Sequence, residues 1–318
     1  MTPDRSRECL AVIDELVSRV VYGASEHTRL AVIALMVRGH LLLEGVPGTG
    51  KTLFARTFAR AVGLAMRRIQ CTPDLMPGDV IGANIFDFRT QTFTLTRGPV
   101  FTEFLLADEI NRTPPKTQSA LLEAMQERTV TIDAETHRLS GRFMVMATQN
   151  PVEHEGTYPL PEAQLDRFLF KLMVGYPNLE QEVAAVLRHG ASAGMPDLDE
   201  AGVETVLSEE EVDALRTLPA SVRLEQNVAH YAVELARATR QHPALAVGLS
   251  PRAATNLAAA ARAAAALEGR DFVIPDDIKG LFLSAARHRV LVTPAAEMQD
   301  MRVDDILGEV LGAVTPPR

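Results

Sequence analysis

Between positions 45 and 52 the chain reads Gly45-Val46-Pro47-Gly48-Thr49-Gly50-Lys51-Thr52, directly after the apolar run Leu41-Leu42-Leu43. A glycine, four residues and then Gly-Lys-Thr make a phosphate-binding loop, a P-loop. Such a loop dictates its surroundings, because a buried strand must deliver the chain to it and a helix must carry the chain away. Its backbone N–H groups form a nest for phosphate oxygens, Lys51 reaches the β and γ phosphates, and the Thr52 hydroxyl ligates Mg²⁺. The next residues, 51–60, carry apolar side chains at helical spacing, as the loop demands. The loop therefore implies an α/β fold that binds a nucleoside triphosphate.

The pattern around the loop extends that expectation. From residue 40 to about 174, apolar strands alternate with helices, which argues for a parallel sheet flanked by helices. The spacing predicts strands at 40–44, 67–71, 104–108, 143–147 and 169–174, and a helix at 116–128 with Leu121, Leu122 and Met125 on one face. Two stretches alternate around polar tips and read as inserted β-hairpins: residues 85–96, and 129–133 with 137–139. Insertions on a rigid scaffold are where partner contacts concentrate.

After Pro177 the character changes. Residues 190–204 are rich in Gly, Ala, Asp and Pro with little periodicity, so 181–204 is expected to be a linker between an α/β core at 1–180 and a helical domain at 205–318. Ser208-Glu209-Glu210-Glu211 has the form of a capping box, with Ser208 as N-cap. Further helices are expected at 228–241, 250–268 and 276–288. The alanine-rich stretch at 253–266 is high-propensity helix suited to close packing.

Composition excludes several classes. With 318 residues, 47% hydrophobic content and both charge signs present, the chain is long enough for two domains and a large core. A formal net charge of −9 disfavours a general nucleic-acid binder, whose surface must attract phosphate backbones. Cys9 and Cys71 lie far apart and belong to no Cys-x-x-Cys or Cys/His cluster, so each reads as a small buried apolar residue in a reducing, cytoplasmic setting. The charged start Met1-Thr2-Pro3-Asp4-Arg5 does not read as a signal peptide, and no apolar run reaches the roughly 20 residues of a membrane span, so neither a leader nor an anchor is expected.

What happens to the triphosphate depends on other residues. Phe104-Leu105-Leu106-Ala107 is an apolar strand ending in Asp108 and Glu109. Beside a P-loop, Asp108 can hold Mg²⁺ through water while Glu109 orients and deprotonates a water for attack on the γ-phosphate, so the pair suggests hydrolysis. A third strand ends in Asn150, placed to position that water from the γ-phosphate side. In Leu165-Asp166-Arg167-Phe168, Arg167 either supplies transition-state charge as an arginine finger or pairs locally with Asp166 or another acid. In Ser250-Pro251-Arg252, a Ser N-cap and a first-turn Pro place Arg252 where it can reach a phosphate from the second domain.

Taken in order, these segments resemble the MoxR family of AAA+ ATPases. The P-loop resembles its Walker A motif, Leu106-Ala107-Asp108-Glu109-Ile110-Asn111-Arg112 its Walker B, and Ala147-Thr148-Gln149-Asn150-Pro151 its sensor 1. The block Glu155-Gly156-Thr157-Tyr158-Pro159-Leu160-Pro161-Glu162-Ala163-Gln164-Leu165-Asp166-Arg167-Phe168 resembles the arginine-finger segment, and Gly248-Leu249-Ser250-Pro251-Arg252-Ala253 the sensor 2 segment. The likeness runs from about residue 20 to 288. Cys71 departs from it mildly, standing where the family usually has an aromatic or another apolar residue.

The resemblance implies an AAA+ core with a helical lid, Mg²⁺-dependent ATP hydrolysis, and a hexameric ring with nucleotide at subunit interfaces. In such a ring Arg167 acts on the neighbour's nucleotide, and Arg252 acts either in cis or in trans. It also implies a chaperone-like role toward partner proteins, often ones with von Willebrand A domains and bound metal, and Val21-Tyr22-Gly23 would pack near adenine. The nearest alternative is the ATPase motor of a metal-chelatase-like complex. A P-loop kinase explains neither Glu109 nor the Leu-Asp-Arg-Phe segment, and a scaffold that barely hydrolyses ATP fits poorly with intact Asp108, Glu109 and Asn150.

Overall fold

The computed structural model describes residues 2–151, 156–190 and 194–317. Glu155 of the arginine-finger block, residues 191–193 of the expected linker and Met1 lie outside the described residues. Two helices come first, α1 (Pro3–Ser18) and α2 (Ser25–Met36), followed by β1 (Leu41–Glu44), α3 (Lys51–Ala61) and β2 (Met66–Gln70). A short α4 (Pro77–Ile81) leads into a hairpin of β3 (Gly82–Asp87) and β4 (Thr92–Arg97). Then come β5 (Phe104–Asp108), a 3₁₀ turn, α5 (Pro115–Glu127), a second hairpin of β6 (Thr129–Ile132) and β7 (Glu135–Arg138), and β8 (Met144–Gln149). The short α6 (Glu162–Leu165) precedes β9 (Phe170–Met173).

Five strands form one parallel sheet in the order β2-β5-β8-β1-β9. Because β1 lies between β8 and β9 while its sequence successor β2 sits at the far edge, the chain reverses direction across the sheet beside β1. Ligands bind at such a switch point, off the carboxyl ends of the strands. Alternation of side chains divides the core into two layers. Leu41, Leu43, Phe104, Leu106, Met144 and Met146 face one side with α1, α2 and α3, whereas Leu42, Leu105, Ala107, Val145 and Ala147 face the other with α5 and the second hairpin. Both expected hairpins are present, and the first exposes an aromatic group at its end: Phe86 packs on Phe88 and Phe93 with ring centres 5.2 and 5.1 Å apart, and Phe88 is 86% exposed.

The expected linker requires correction. Its first part, 181–189, lies in a helix, α7 (Leu179–His189), capped by Asn178 and Gln181. No residue of α7 is buried, and Leu179, Val183, Val186 and Leu187 face solvent. Beyond it, Val203 and Leu207 are buried in the main apolar cluster, and the Val206 N–H donates to Ala61 O, so this stretch is packed onto the core.

The remainder is α8 (Glu209–Ser221), α9 (Gln226–Gln241), β10 (Leu245–Val247), α10 (Pro251–Leu267), α11 (Pro275–Ala286), β11 (Leu291–Val292), α12 (Pro294–Glu297) and α13 (Val303–Ala313). The Ser208 capping box is formed. One short antiparallel ladder, β10 with β11, accompanies these helices. At the centre lies α10, whose alanines 263–266 are at most 1% exposed and permit close approach of α8, α9, α11 and α1. One continuous apolar cluster thus joins α1, α2 and the helical region.

Cys9 and Cys71 are both buried, as expected of small apolar residues. His40 is buried where the chain enters β1: its Nδ1 accepts from the Val145 N–H and its Nε2 donates to Met125 O. Burial lowers its pKa from the ordinary 6.5 to about 4, and His288 is lowered likewise, chiefly by burial. Stability linked to His40 is therefore complete above pH 6.5 and is lost as pH falls toward 4, because only the unfolded chain takes up the proton in that window. The expected loss is about 3 kcal/mol. Urea titrations at pH 7.5, 6 and 5 should show about 2 kcal/mol of it, with a shallower dependence on pH for His40→Gln; equal pH dependence in both proteins would remove His40 from the effect.

Candidate active site

The loop after β1 has the geometry its sequence requires. A Cβ on Gly45 would lie 2.2 Å from Val174 O, so no other residue fits there. Gly48 and Gly50 have φ of +84° and +82°, the left-handed region that favours glycine, and such turns direct successive N–H groups to one side as an anion nest. Gly50 is the N-cap of α3, whose positive end adds to the site's attraction for anions. Lys51 Nζ donates to Gly45 O and Val46 O, each at 2.7 Å, and Thr49 Oγ1 donates to Val46 O at 2.9 Å. Burial lowers the Lys51 pKa, against the opposing pull of Asp108 and Glu109.

Asp108, buried at the end of β5, is held from three sides. Thr148 Oγ1 donates to its Oδ1 at 2.6 Å, while Thr52 Oγ1 at 3.0 Å and Arg68 Nη2 at 2.7 Å donate to its Oδ2. The Thr52 hydroxyl and the Asp108 carboxylate thus meet in the cleft as hard oxygen donors, the kind that suits Mg²⁺. Glu109 has φ +59° and ψ +52°, a left-handed backbone uncommon outside glycine, and its N–H donates to Thr148 Oγ1. That turn takes its carboxylate off the strand axis, where Oε2 accepts from Gln70 Nε2 at 3.0 Å and Arg112 Nη1 at 3.3 Å.

Asn150 follows β8, the strand between β5 and β1, and its carbonyl accepts from Asn111 Nδ2 at 3.1 Å. Pro47, Gly48, Gly50, Lys51, Thr52, Asp108, Glu109 and Asn150 line one cleft of about 660 Å³. Val21, Tyr22 and Gly23 line an adjoining hollow of about 130 Å³ that reaches the loop at Thr49, Gly50 and Lys51. Tyr22 is fixed there by its hydroxyl, which donates to Ala184 O in α7.

The two arginines expected to act on phosphate do not line that cleft. Arg167 and Arg252 share a different hollow, of about 170 Å³. Local pairing of Arg167 with Asp166 is not what the structure has: Arg167 Nε donates to Gln126 Oε1, and Asp166 instead accepts from Arg289 Nε at 2.7 Å. Arg289, 2% exposed at its side chain, also donates to Phe168 O and Leu169 O, and so clamps the Arg167 segment to the helical region. Arg289→Met should cost about 3 kcal/mol or more by leaving Asp166 and the carbonyls without their buried partner. The check is the urea midpoint at unchanged slope; a shift below about 1 kcal/mol would contradict the clamp.

Sequence reasoning missed Arg68, Gln70 and Thr148, which hold the two acids, as well as Arg289. The available signal was β2 itself, where Arg68 and Gln70 recur at the two-residue period of one strand face.

Comparisons agree with this architecture. Residues 40–170 match the model of the ATPase family associated with various cellular activities (AAA), and residues 237–310 match the AAA lid domain. The Mycobacterium tuberculosis protein Chaperone MoxR1 is 42% identical over 95% of this chain and 81% of its own length. Protein MoxR of Methylorubrum extorquens is 32% identical over 98% of this chain and 96% of its own. A crystal structure described as a candidate ATPase of Cytophaga hutchinsonii superposes with a TM-score of 0.89 at 38% identity, covering 99% of this chain and 98% of that one. Among the described residues no helix is long and apolar enough to cross a membrane. With a P-loop at the switch point, paired acids at the end of the next strand but one, a lid match and full-length likeness to proteins of that name, the chain belongs to the MoxR family of AAA+ ATPases.

Proposed function

We propose that this protein hydrolyses ATP in active sites shared between copies in a ring, a hexamer by analogy with the family, and uses turnover to remodel partner proteins in the cytoplasm. The single observation carrying the shared-site reading is the separation of its parts. The P-loop, Asp108, Glu109 and Asn150 line one cleft, while Arg167 and Arg252 line another. Arginines that act on phosphate must then reach a neighbour's nucleotide, so Arg252 is assigned to act in trans with Arg167.

The nest of N–H groups and Lys51 bind the phosphates, and the hollow at Val21, Tyr22 and Gly23 takes the base. Thr52 and, through water, Asp108 would hold Mg²⁺, which would supply charge to offset that developing on the phosphates. Glu109 accepts a proton from the attacking water as Asn150 orients it, and the neighbour's Arg167 and Arg252 stabilise the transition state. The working units are a core at 1–180, a connecting region at 181–204 that includes most of α7, and a helical lid at 205–318. The chaperone name of the mycobacterial relative supports a remodelling role, and the exposed Phe86, Phe88 and Phe93 are suited to hold an apolar client segment, von Willebrand A domain proteins among the candidates.

Light scattering with and without Mg²⁺-ATP, together with phosphate release at rising protein concentration, tests the reading. A nucleotide-stabilised ring with turnover rising steeply with concentration is expected. A monomer turning over at a concentration-independent rate would sink it.

A further inference from the structure

The hollow lined by Arg167 and Arg252 is lined by two more arginines that the reading above leaves unused. Arg38 follows the end of α2 and Arg128 caps α5, and both have left-handed backbones, with φ of +58° and +54°. A non-glycine residue in that region is uncommon, and here two of them line one hollow. The rest of the lining includes neither Asp nor Glu.

Among the described residues none of these four arginines forms an ion pair, and the acid that acts on Arg38, Asp213, is itself paired with Arg142. Arg128 Nη2 donates to Arg38 O at 2.9 Å and Arg167 Nε to Gln126 Oε1 at 3.0 Å. Nearby, Arg142 meets Glu103, Glu209 and Asp213, whereas the buried Arg216 donates to the carbonyls of Leu35, Gly141 and Arg142. Burial, and then the nearby Arg38, lower the Arg128 pKa, and nearby Arg216 is lowered to about 10 by burial, Arg128 and Arg38 in turn. Like charges gathered in a hollow whose lining carries no acid favour an anion from outside.

We propose that Arg38 and Arg128 complete, with Arg167 and Arg252, a single phosphate-binding pocket that closes on the terminal phosphate of a nucleotide held by an adjacent copy. One arginine fork satisfies a carboxylate, whereas a terminal phosphate offers three oxygens and up to two charges, which calls for several forks from different directions. The hollow supplies them from four places in the chain: the end of α2, the end of α5, the segment before β9 and the first turn of α10. The proposal rests on the shared-site reading and adds two binding residues to it.

Subunit mixing tests it. Arg38→Gln and Arg128→Gln should each lower ATP turnover at least tenfold at saturating ATP, with nucleotide binding and melting temperature close to wild type. Lys51→Ala, inactive by itself, keeps all four arginines. Mixing it in equal amount with Arg38→Gln should raise turnover severalfold, because intact P-loops then face intact arginine pockets. Unchanged turnover in both arginine variants would overturn the proposal, as would full turnover with altered inhibition by inorganic phosphate, the mark of a free-anion site. Arg167→Ala mixed with Lys51→Ala separates the two claims. If that pair recovers and the Arg38→Gln pair does not, the added residues fail alone; if neither recovers, the shared-site reading fails and takes the proposal with it. Should Arg128→Gln fold poorly, Arg38→Gln decides, since the Arg38 guanidinium makes no hydrogen bond to be lost among the described residues.

Discussion

Glu109→Gln is expected to lower ATP turnover about a hundredfold or more while leaving nucleotide binding intact. The residue stands one position past Asp108, and its left-handed backbone turns the carboxylate into the cleft, where Gln70 and Arg112 hold one oxygen. Glutamine keeps the size and the capacity to accept at Oε1, and so preserves packing, but it cannot take a proton from water. The change therefore isolates proton transfer from binding. Single-turnover phosphate release beside equilibrium nucleotide binding measures both quantities. A variant that turns over like wild type would remove Glu109 from the general-base role.

Arg167→Ala should have a still larger effect, a loss of about a thousandfold in turnover, the scale of an arginine supplied to a phosphoryl transition state. Nucleotide binding and ring assembly should survive, because Arg167 is half-buried, lies outside the P-loop cleft and donates only to Gln126 among the described residues. The fold of its segment is fixed by Asp166 and the carbonyls of residues 168 and 169 through Arg289, so loss of the Arg167 side chain does not release it. An assembled ring of this variant that hydrolyses ATP at the wild-type rate would refute the assignment.

Much of the fold was legible because buried strands in a parallel sheet are continuous apolar runs. Residues 104–108 were placed to the residue, and the other four strands of that sheet to within one or two positions at either end. The capping box at Ser208 and both hairpins were legible for similarly local reasons. The first part of the linker was misread because α7 buries nothing, so its apolar residues gave no core to be matched with, and the Gly- and Pro-rich stretch beyond it suggested irregular chain. The P-loop and its acids were legible as single segments, each complete in the sequence. Arg68 and Gln70 were not, since a strand with a polar face reads as surface until the order β2-β5 places it beside Asp108. Arg289 sits in Arg287-His288-Arg289, which reads as a solvated basic run. Only the packing of the segment after α11 against the residues that lead into β9 reveals that His288 and Arg289 are buried.

The clamp at Arg289 has a mechanical meaning. Its guanidinium grips residues 166, 168 and 169 on one side and the Ala285 carbonyl of α11 on the other. The tip that would reach into a neighbour is thus geared to the helical region of its own chain. If that region shifts when nucleotide in its own cleft is spent, the tip travels with it, and the adjacent site gains or loses its arginine at that moment. Such gearing would pass turns around a ring in sequence, each subunit's stroke setting the timing of the next.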